Sequence, residues 1–145
     1  MKRIRVQCAG RGESVPRYQS PGSAGADLRA DLPGDLAIGP GERAVVPTGL
    51  RLQIPPGYEA QIRPRSGLAL EHGITVLNSP GTVDSDYRGE IKVILVNLGR
   101  DRFTVRPGDR IAQIVFCPAV RARFDLRTSV TGTQRGDGGF GSTGM

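Results

Sequence analysis

The fold class of this chain is decided by the stretch Gly89-Glu90-Ile91-Lys92-Val93-Ile94-Leu95-Val96-Asn97-Leu98-Gly99. Apolar and mostly β-branched residues fill it almost without interruption between two turn-forming glycines, which is typical of a strand buried on both faces. The run is far too short to span a bilayer, and it contains Lys92 and Asn97. We therefore predict a β-strand from Ile91 to Val96 that is buried on both faces.

The rest of the chain repeats this pattern of short strands between turns. The 21 glycines and 11 prolines stand mostly singly, and turn signals recur about every ten residues. Only one window has helical character, Ser66 to His72, where Ser66 could cap one or two turns. These features predict an all-β antiparallel sandwich or barrel with one short helix. Its other expected strands are Ile4 to Cys8, Leu50 to Ile54, Tyr58 to Ile62, Ile111 to Phe116 and Val120 to Leu126.

The expected organisation is one β domain over residues 1–126, followed by a flexible, Gly-rich arm over residues 127–145. A chain of 145 residues can bury a sufficient core without disulfides. Cys8 and Cys117 lack metal or redox spacing and are expected to be buried free thiols in a reducing cytoplasm. No apolar leader follows the basic N-terminal residues, so we expect a soluble cytoplasmic protein without a membrane partner.

The charge of the chain leaves several classes of partner open. A net charge of +6 suits a nucleic acid, a membrane surface or a nucleoside triphosphate. The basic residues are dispersed, and four Phe, three Tyr and no Trp make a poor platform for stacking single-stranded bases. The chain has no P-loop, which excludes the usual NTPase machinery.

Two polar segments in the first half of the chain are candidates for phosphate chemistry. Ala24-Gly25-Ala26-Asp27-Leu28 places one carboxylate among small residues. Asp27 could cap a turn, or it could hold a phosphate-bound Mg²⁺ through water. Arg63-Pro64-Arg65-Ser66-Gly67-Leu68-Ala69 puts an Arg and a hydroxyl at the start of the predicted helix. This arrangement suits phosphate, although a surface Arg with an ordinary cap has the same sequence.

The third segment is Asn78-Ser79-Pro80-Gly81-Thr82-Val83-Asp84-Ser85-Asp86-Tyr87-Arg88-Gly89. Pro80-Gly81 predicts a hairpin with Asn78 on one arm and Asp84 to Tyr87 on the other. Asp84 and Asp86 would then share one side of an extended strand. Such a segment could bind a pyrimidine and its sugar, or it could be an ordinary Asp/Ser turn.

Two later segments complete the set. In Pro107-Gly108-Asp109-Arg110-Ile111-Ala112-Gln113, we expect Asp109 and Arg110 to pair. Gln113 in an apolar strand needs a phosphate oxygen or a backbone group as its partner. Arg135-Gly136-Asp137-Gly138-Gly139-Phe140-Gly141-Ser142-Thr143-Gly144 has the composition of a disordered tail. The alternative is that it wraps a nucleotide, with backbone N–H groups on the phosphates and the Phe over the base.

Taken in this order, the five segments resemble the five motifs of the trimeric dUTPase family, over about residues 15–144. The resemblance implies a jelly-roll-like β sandwich that assembles as a homotrimer, with active sites shared between chains. It also implies Mg²⁺-dependent hydrolysis of dUTP to dUMP and pyrophosphate, which keeps uracil out of DNA and supplies dUMP for thymidylate synthesis. A stable nucleic-acid partner is not expected. The chain departs from the family pattern at Ala26, where many members carry an aromatic residue.

The resemblance further implies roles for individual residues. Asp84 would be the general base that activates water for attack on the α-phosphorus, and Asp27 would hold Mg²⁺ through water only. Asn78 would contact uracil, and Tyr87 the deoxyribose. The arm would close over the site. The implied substrate-binding residues are Arg65, Ser66, Gly67, Asn78, Gly81, Thr82, Val83, Tyr87, Lys92, Gln113, Arg135, Phe140, Gly141, Ser142 and Thr143.

Two alternative functions remain open from the sequence. A dCTP deaminase-type enzyme of the same fold would need a Glu near the pyrimidine amine, where this chain has Asp84 to Tyr87. A non-catalytic trimer that binds nucleotides or nucleic acid would fit the basic charge. The presence of Asp84, Arg135 and Phe140 argues against that second alternative.

Overall fold

The computed structural model describes residues 2–144. The described chain is built from β-strands, with one α-helix and a 3-10 turn at Gly12–Ser14. The helix α1 spans Ser66–His72. The strands are β1 (Gln7–Ala9), β2 (Ala26–Arg29), β3 (Leu36–Ile38), β4 (Arg43–Gln53), β5 (Tyr58–Arg63), β6 (Ile74–Val76), β7 (Gly81–Val83), β8 (Glu90–Asn97), β9 (Phe103–Val105) and β10 (Arg110–Pro118).

The strands form two four-stranded sheets and one two-stranded sheet. The strand order is β1-β4-β8-β6 in sheet I, β2-β10-β5-β7 in sheet II and β3-β9 in sheet III. Every pairing is antiparallel. Strands adjacent in sequence repeatedly lie in different sheets, as in a jelly roll. The predicted all-β sandwich with one short helix is confirmed.

The central strand β8 lies between β4 and β6 in sheet I. Val93, Leu95 and Asn97 face the core and are fully buried, and Val96 extends the burial to the other face. Lys92, by contrast, is exposed. The predicted burial on both faces therefore holds only at the C-terminal end of β8, because the other end borders an open cavity.

Asn97 ties the end of β8 to its surroundings inside the core. Its side chain is fully buried, and Nδ2 donates to the carbonyl oxygens of Ile38 at 2.9 Å and Asp101 at 2.8 Å. Its Oδ1 accepts from the amide of Gly99 at 2.9 Å. One polar side chain thus fixes β3 and the turn after β8, and its own hydrogen-bonding needs are met inside the core.

The helix has the predicted bounds, but its cap differs. Arg65 occupies the N-cap position, with no side-chain cap hydrogen bond, and Ser66 is the first helical residue. The predicted capping role of Ser66 is therefore wrong. Gly73 ends the helix with φ 68°, in the left-handed region that suits glycine.

The strand predicted from Val120 to Leu126 is also wrong. The last strand ends at Pro118, and the following residues have no regular structure. The side chains of Val120, Phe124 and Leu126 are 92–99% exposed. Their strand-like alternation has no partner strand within this chain.

The two cysteines are free, as expected, but neither is buried. Cys8 is exposed and Cys117 is half-buried. Local burial of its sulfur still raises the pKa of the Cys8 thiol. No helix among residues 2–144 is long and apolar enough to cross a membrane.

Candidate active site

A cavity of about 380 Å³ opens between β7, β8 and the loops on either side of β7. Its volume lies in the range of small-molecule sites. The cavity brings together the predicted residues of the third segment and one from β8: Asn78, Gly81, Thr82, Val83, Asp84, Tyr87 and Lys92. These residues therefore line one cavity.

The loop between β6 and β7 crosses from one sheet to the other. β6 pairs with β8 in sheet I, whereas β7 pairs with β5 in sheet II, with Gly81 opposite Ile62. The predicted hairpin is therefore wrong, because its two arms pair with different strands. The Ser79–Pro80 peptide bond within this loop is cis. Since the arms diverge, a gap remains between the sheets, and this gap is the cavity.

Gly81 allows the start of β7 to lie close to its neighbours. A Cβ at this position would stand 3.3 Å from the Cβ of Ile62 and 3.4 Å from Nδ2 of Asn78. The amide of Asn78 thus packs against the backbone that begins β7. Because β7 is an outer strand of sheet II, the side of its backbone away from β5 has no partner within that sheet.

The chain turns sharply after β7. The amide of Tyr87 donates to the carbonyl oxygen of Asp84 at 3.2 Å. Arg88 closes the same turn, since its Nη1 donates to the carbonyl oxygens of Ser85 at 2.7 Å and Tyr87 at 3.1 Å. The prediction that Asp84 and Asp86 share one side of an extended strand is therefore wrong. Asp84 precedes the turn and Asp86 lies in it.

Asp84 and Tyr87 are presented to solvent at the cavity wall. Asp84 is exposed, and no ion pair involves it among the described residues. The hydroxyl of Tyr87 donates to the carbonyl oxygen of Glu90 at 3.0 Å. The ring lies so close to Gly89 that a Cβ there would overlap it. The carboxylate is thus accessible to water, and the aromatic ring is fixed next to it.

A second cluster lies around Asp27 on β2. Its Oδ1 is 3.4 Å from Nε of Arg65, and its Oδ2 is 3.2 Å from Nη1 of Arg110. The Asp27 side chain is only 12% exposed. Arg65 also donates from Nη1 to the carbonyl oxygen of Arg110 at 3.1 Å. Asp27 is therefore a strand residue that two arginines hold, and not a turn cap.

Near this cluster, the structure also tests the predicted Asp109–Arg110 pair and the predicted partner of Gln113. The expected Asp109–Arg110 pair is wrong, because Arg110 pairs with Asp27, while Oδ2 of Asp109 accepts from the amide of Arg106 at 2.9 Å. Gln113 takes the backbone alternative, since its Nε2 donates to the carbonyl oxygen of Pro64 at 2.9 Å. Ser66 and Gly67 follow Arg65 at the exposed start of α1.

The Asp27 cluster fits a magnesium ion only in an indirect way. No group of three or more His, Cys, Asp or Glu side chains that could hold a metal is present among residues 2–144. Asp27 is the carboxylate of the cluster, and each of its oxygens has one Arg partner. A carboxylate oxygen can accept more than one hydrogen bond. Asp27 can therefore hold a water of a phosphate-bound Mg²⁺, which typically keeps several waters.

The cavity and the Asp27 cluster lie at opposite edges of sheet II. β7 and β2 are its two outer strands, with β5 and β10 between them. Three strand spacings place them roughly 14 Å apart. The predicted arm residues form a third group: Phe140 is fully exposed, and Nε of Arg135 donates to the carbonyl oxygen of Gly138 at 2.8 Å. Gly141, Ser142 and Thr143 follow in turns. A single chain does not bring the three groups into one cavity.

Sequence reasoning missed part of the cavity wall. Apolar side chains supply most of the missed part, and Gly89 and two charged residues, Arg51 and Glu90, supply the rest. Arg51 and Glu90 are cross-strand partners on β4 and β8. Their position at the cavity wall depends on the register between β4 and β8. No local sequence pattern indicates that register. The missed apolar residues are Ile62, Val76, Ile91, Val93 and Ile94.

Comparison with known proteins gives one consistent family. The family model described as dUTPase matches residues 12–144. The deoxyuridine 5'-triphosphate nucleotidohydrolase of Chlamydia pneumoniae is 59% identical over 134 residues, which cover 92% of each chain. The protein of the same name from Mesorhizobium japonicum is 62% identical over 92% of this chain and 84% of its own length.

Solved structures agree on the fold. The dUTPase of Staphylococcus bacteriophage 80alpha with dUPNHPP has a TM-score of 0.84 at 22% identity, covering 97% of this chain and 99% of that one. A mutant dUTPase from phage phi11 of S. aureus, whose structure concerns a structural Mg(II) ion, has a TM-score of 0.77 at 18% identity. That match covers 87% of this chain and 98% of that one.

Proposed function

Because this chain belongs to the dUTPase family, we propose that it hydrolyses dUTP to dUMP and pyrophosphate. The observation that carries the proposal is the convergence of Asn78, Asp84, Tyr87 and Lys92 on one cavity of nucleoside size. The reaction would keep uracil out of DNA and supply dUMP for thymidylate synthesis. We place it in the cytoplasm, with the β domain over residues 1–126 and the arm over residues 127–145.

The cavity offers matching groups for a deoxyuridine. The unpaired backbone edge of β7 from Gly81 to Val83 supplies N–H and C=O groups for the uracil edge, and the amide of Asn78 lies beside it. The Tyr87 ring stands at the cavity wall, where it can pack on the sugar and leave no room for a 2′-hydroxyl. Lys92 projects from β8 into the same cavity. These contacts would favour dUTP over UTP.

Asp84 is the proposed general base. Its exposed carboxylate orients a water and takes a proton from it as the water oxygen bonds to the α-phosphorus. The bond from the α-phosphorus to the bridging oxygen then breaks, and pyrophosphate leaves. Among residues 2–144, no Cys or His lines the cavity, so it lacks a Cys–His or Ser–His pair for a covalent route. Direct attack by water is the simplest mechanism that these residues support.

The Asp27 cluster is the proposed phosphate site. Arg65 uses Nε and Nη1 within the cluster, and its remaining N–H donors suit phosphate oxygens. Ser66, Gly67 and Gln113 would complete the contacts. Mg²⁺, held by Asp27 through water and bound with the phosphates, would supply neutralisation of the charge that develops on the leaving pyrophosphate.

A homotrimer with shared sites is part of the proposal. The separation of roughly 14 Å between the edges of sheet II supports a site in which the cavity of one chain takes its phosphate cluster from a neighbour. Exposed apolar residues, such as Val45 (57%) on β4 and Leu77 (47%) directly after β6, offer a surface for that neighbour. The arm would come from another chain, with Arg135 on the γ-phosphate, Phe140 over the uracil and the backbone of residues 141–143 on the phosphates.

The test is a pyrophosphate-release panel with dUTP, dCTP, dTTP and UTP in the presence of Mg²⁺. We expect release from dUTP alone. Sustained ammonia release from dCTP would instead support a deaminase of the same fold. Salt-dependent binding to DNA without release of pyrophosphate from dUTP would support a non-catalytic binding trimer.

A further inference from the structure

The loop over residues 84–89 carries both Asp84 and Tyr87, but little connects it to the rest of the molecule. Most of its hydrogen bonds are local: Tyr87 to Asp84, Arg88 to Ser85 and Tyr87, and the Tyr87 hydroxyl to Glu90. Among the described residues, one hydrogen bond joins this loop to a distant part of the chain. Nη1 of Arg51 donates to the carbonyl oxygen of Arg88 at 3.0 Å.

Arg51 is well placed to hold the loop. It lies on β4, between Ala9 on β1 and Glu90 on β8, so neighbouring strands fix its backbone on both sides. Its side chain is on the outer face of sheet I, where it lines the nucleoside cavity and an adjoining groove. Arg51 therefore belongs to a strand that is paired on both sides within sheet I, whereas the 84–89 loop lies outside the sheet.

The carboxylate opposite Arg51, on Glu90, accepts a hydrogen bond from another residue. Glu90 is its cross-strand neighbour, but Oε1 of Glu90 accepts from the amide of Gly49 at 2.9 Å, in the irregular part of β4. Arg51 reaches the Arg88 carbonyl instead. The hydrogen bond of a guanidinium to a carbonyl oxygen is charge-assisted and therefore stronger than one between neutral groups.

We propose that Arg51 is a positioning residue, which fixes the 84–89 loop against β4 and so sets how strongly the site prefers dUTP over UTP. The inference rests on the proposed function. Misplacement of the loop by a fraction of an ångström moves the Asp84 carboxylate relative to the water that it activates. It also moves the Tyr87 ring away from the position that excludes a 2′-hydroxyl.

The experiment compares Arg51→Met, which keeps the length of the side chain without its donors, with Arg51→Lys, which restores a charged donor. Arg29→Met is the matched control, because Nη1 of Arg29 makes the same kind of bond, 2.9 Å to the carbonyl oxygen of Gly108, in another loop. We would measure kcat and KM for dUTP and UTP, amide hydrogen exchange at Tyr87 and the thermal unfolding temperature.

For Arg51→Met we expect the dUTP-over-UTP ratio of kcat/KM to fall about threefold to tenfold, the worth of one hydrogen bond. The Tyr87 amide should exchange faster in this variant. Arg51→Lys should recover part of both effects, and Arg29→Met should show neither. Both side chains replaced, Arg51 and Arg29, are exposed, so the variants should fold.

The outcomes separate the two proposals. If the unmodified protein releases no pyrophosphate from dUTP, the proposed function fails, while Tyr87 exchange still tests the anchor. If the unmodified protein is active and Arg51→Met leaves selectivity and exchange unchanged, the role of Arg51 is overturned. An equal loss for both substrates with unchanged exchange also overturns it, because that result describes a direct substrate contact.

Discussion

Asp84 stands out among the acidic residues of the site because it is exposed, lines the cavity and forms no ion pair within residues 2–144. We predict that Asp84→Asn lowers kcat about a hundredfold to ten-thousandfold while dUTP still binds. The amide keeps the shape of the side chain but cannot take a proton from water. Pyrophosphate release and equilibrium binding of dUTP would measure the two effects separately.

Asp86 provides the matched control for this change. It lies two residues further along the same loop and is also exposed, but it does not line the cavity. Asp86→Asn should keep a near-normal rate. A kcat close to that of the unmodified enzyme in Asp84→Asn would remove Asp84 from its role.

Single residues also show what sequence could and could not predict. The residue types of the candidate site follow from the five segments, and Asn78, Asp84 and Tyr87 line one cavity. Their partners do not follow, because side chains that are adjacent in sequence can point in different directions and pair with residues far away along the chain. Asp109 and Arg110 point to different partners, and Arg110 meets Asp27, which lies 83 residues away along the chain.

At the scale of elements, Asn97 connects β8 with β3 and with the turn that follows β8. We predict that Asn97→Leu lowers the free energy of unfolding by about 2 to 4 kcal/mol, because it leaves buried backbone groups without partners. Urea unfolding would measure the loss. Leu98→Ser, at a neighbouring position that is 71% exposed, should stay within about 0.5 kcal/mol. Equal losses in the two variants would contradict this account of Asn97.

Elements with strong local signals were predicted well. The helix has the expected bounds, and the strands at Tyr58–Arg63 and Arg110–Pro118 include the predicted runs. Pairing was predicted poorly, because it depends on long-range packing. Pro80-Gly81 does mark a change of direction, but the strands on its two sides belong to different sheets. The position of Arg51 at the cavity could not be predicted from the sequence for the same reason, because it depends on the register between β4 and β8.

At the scale of the whole molecule, the segment from Val120 to Leu126 alternates like a strand but has no partner within the chain. Such alternation predicts a strand wherever a partner exists, and a neighbouring subunit is the remaining source of one. The sequence pattern and the exposed side chains are therefore consistent with the proposed trimer.

The arm gives a prediction at this same scale. Truncation after Gln134 should lower kcat strongly while the oligomer stays intact, since it removes Arg135 and Phe140 but keeps the alternating segment before them. Loss of the arm would leave the reacting phosphates open to bulk water. Light scattering after size-exclusion chromatography would report the assembly, and pyrophosphate release the rate. Near-normal turnover in the truncated form would mean that the tail has no catalytic part.

The placement of the Asp27 cluster and the nucleoside cavity on opposite edges of sheet II has a genetic consequence. In the proposed trimer, a chain that has lost Asp84 and a chain that has lost Arg65 are each inactive alone. When both are made in one cell and assort at random, some sites combine the intact cavity of one chain with the intact phosphate cluster of the other. Two defective alleles would thus complement each other within a single gene, whereas two alleles damaged in the same cluster would not.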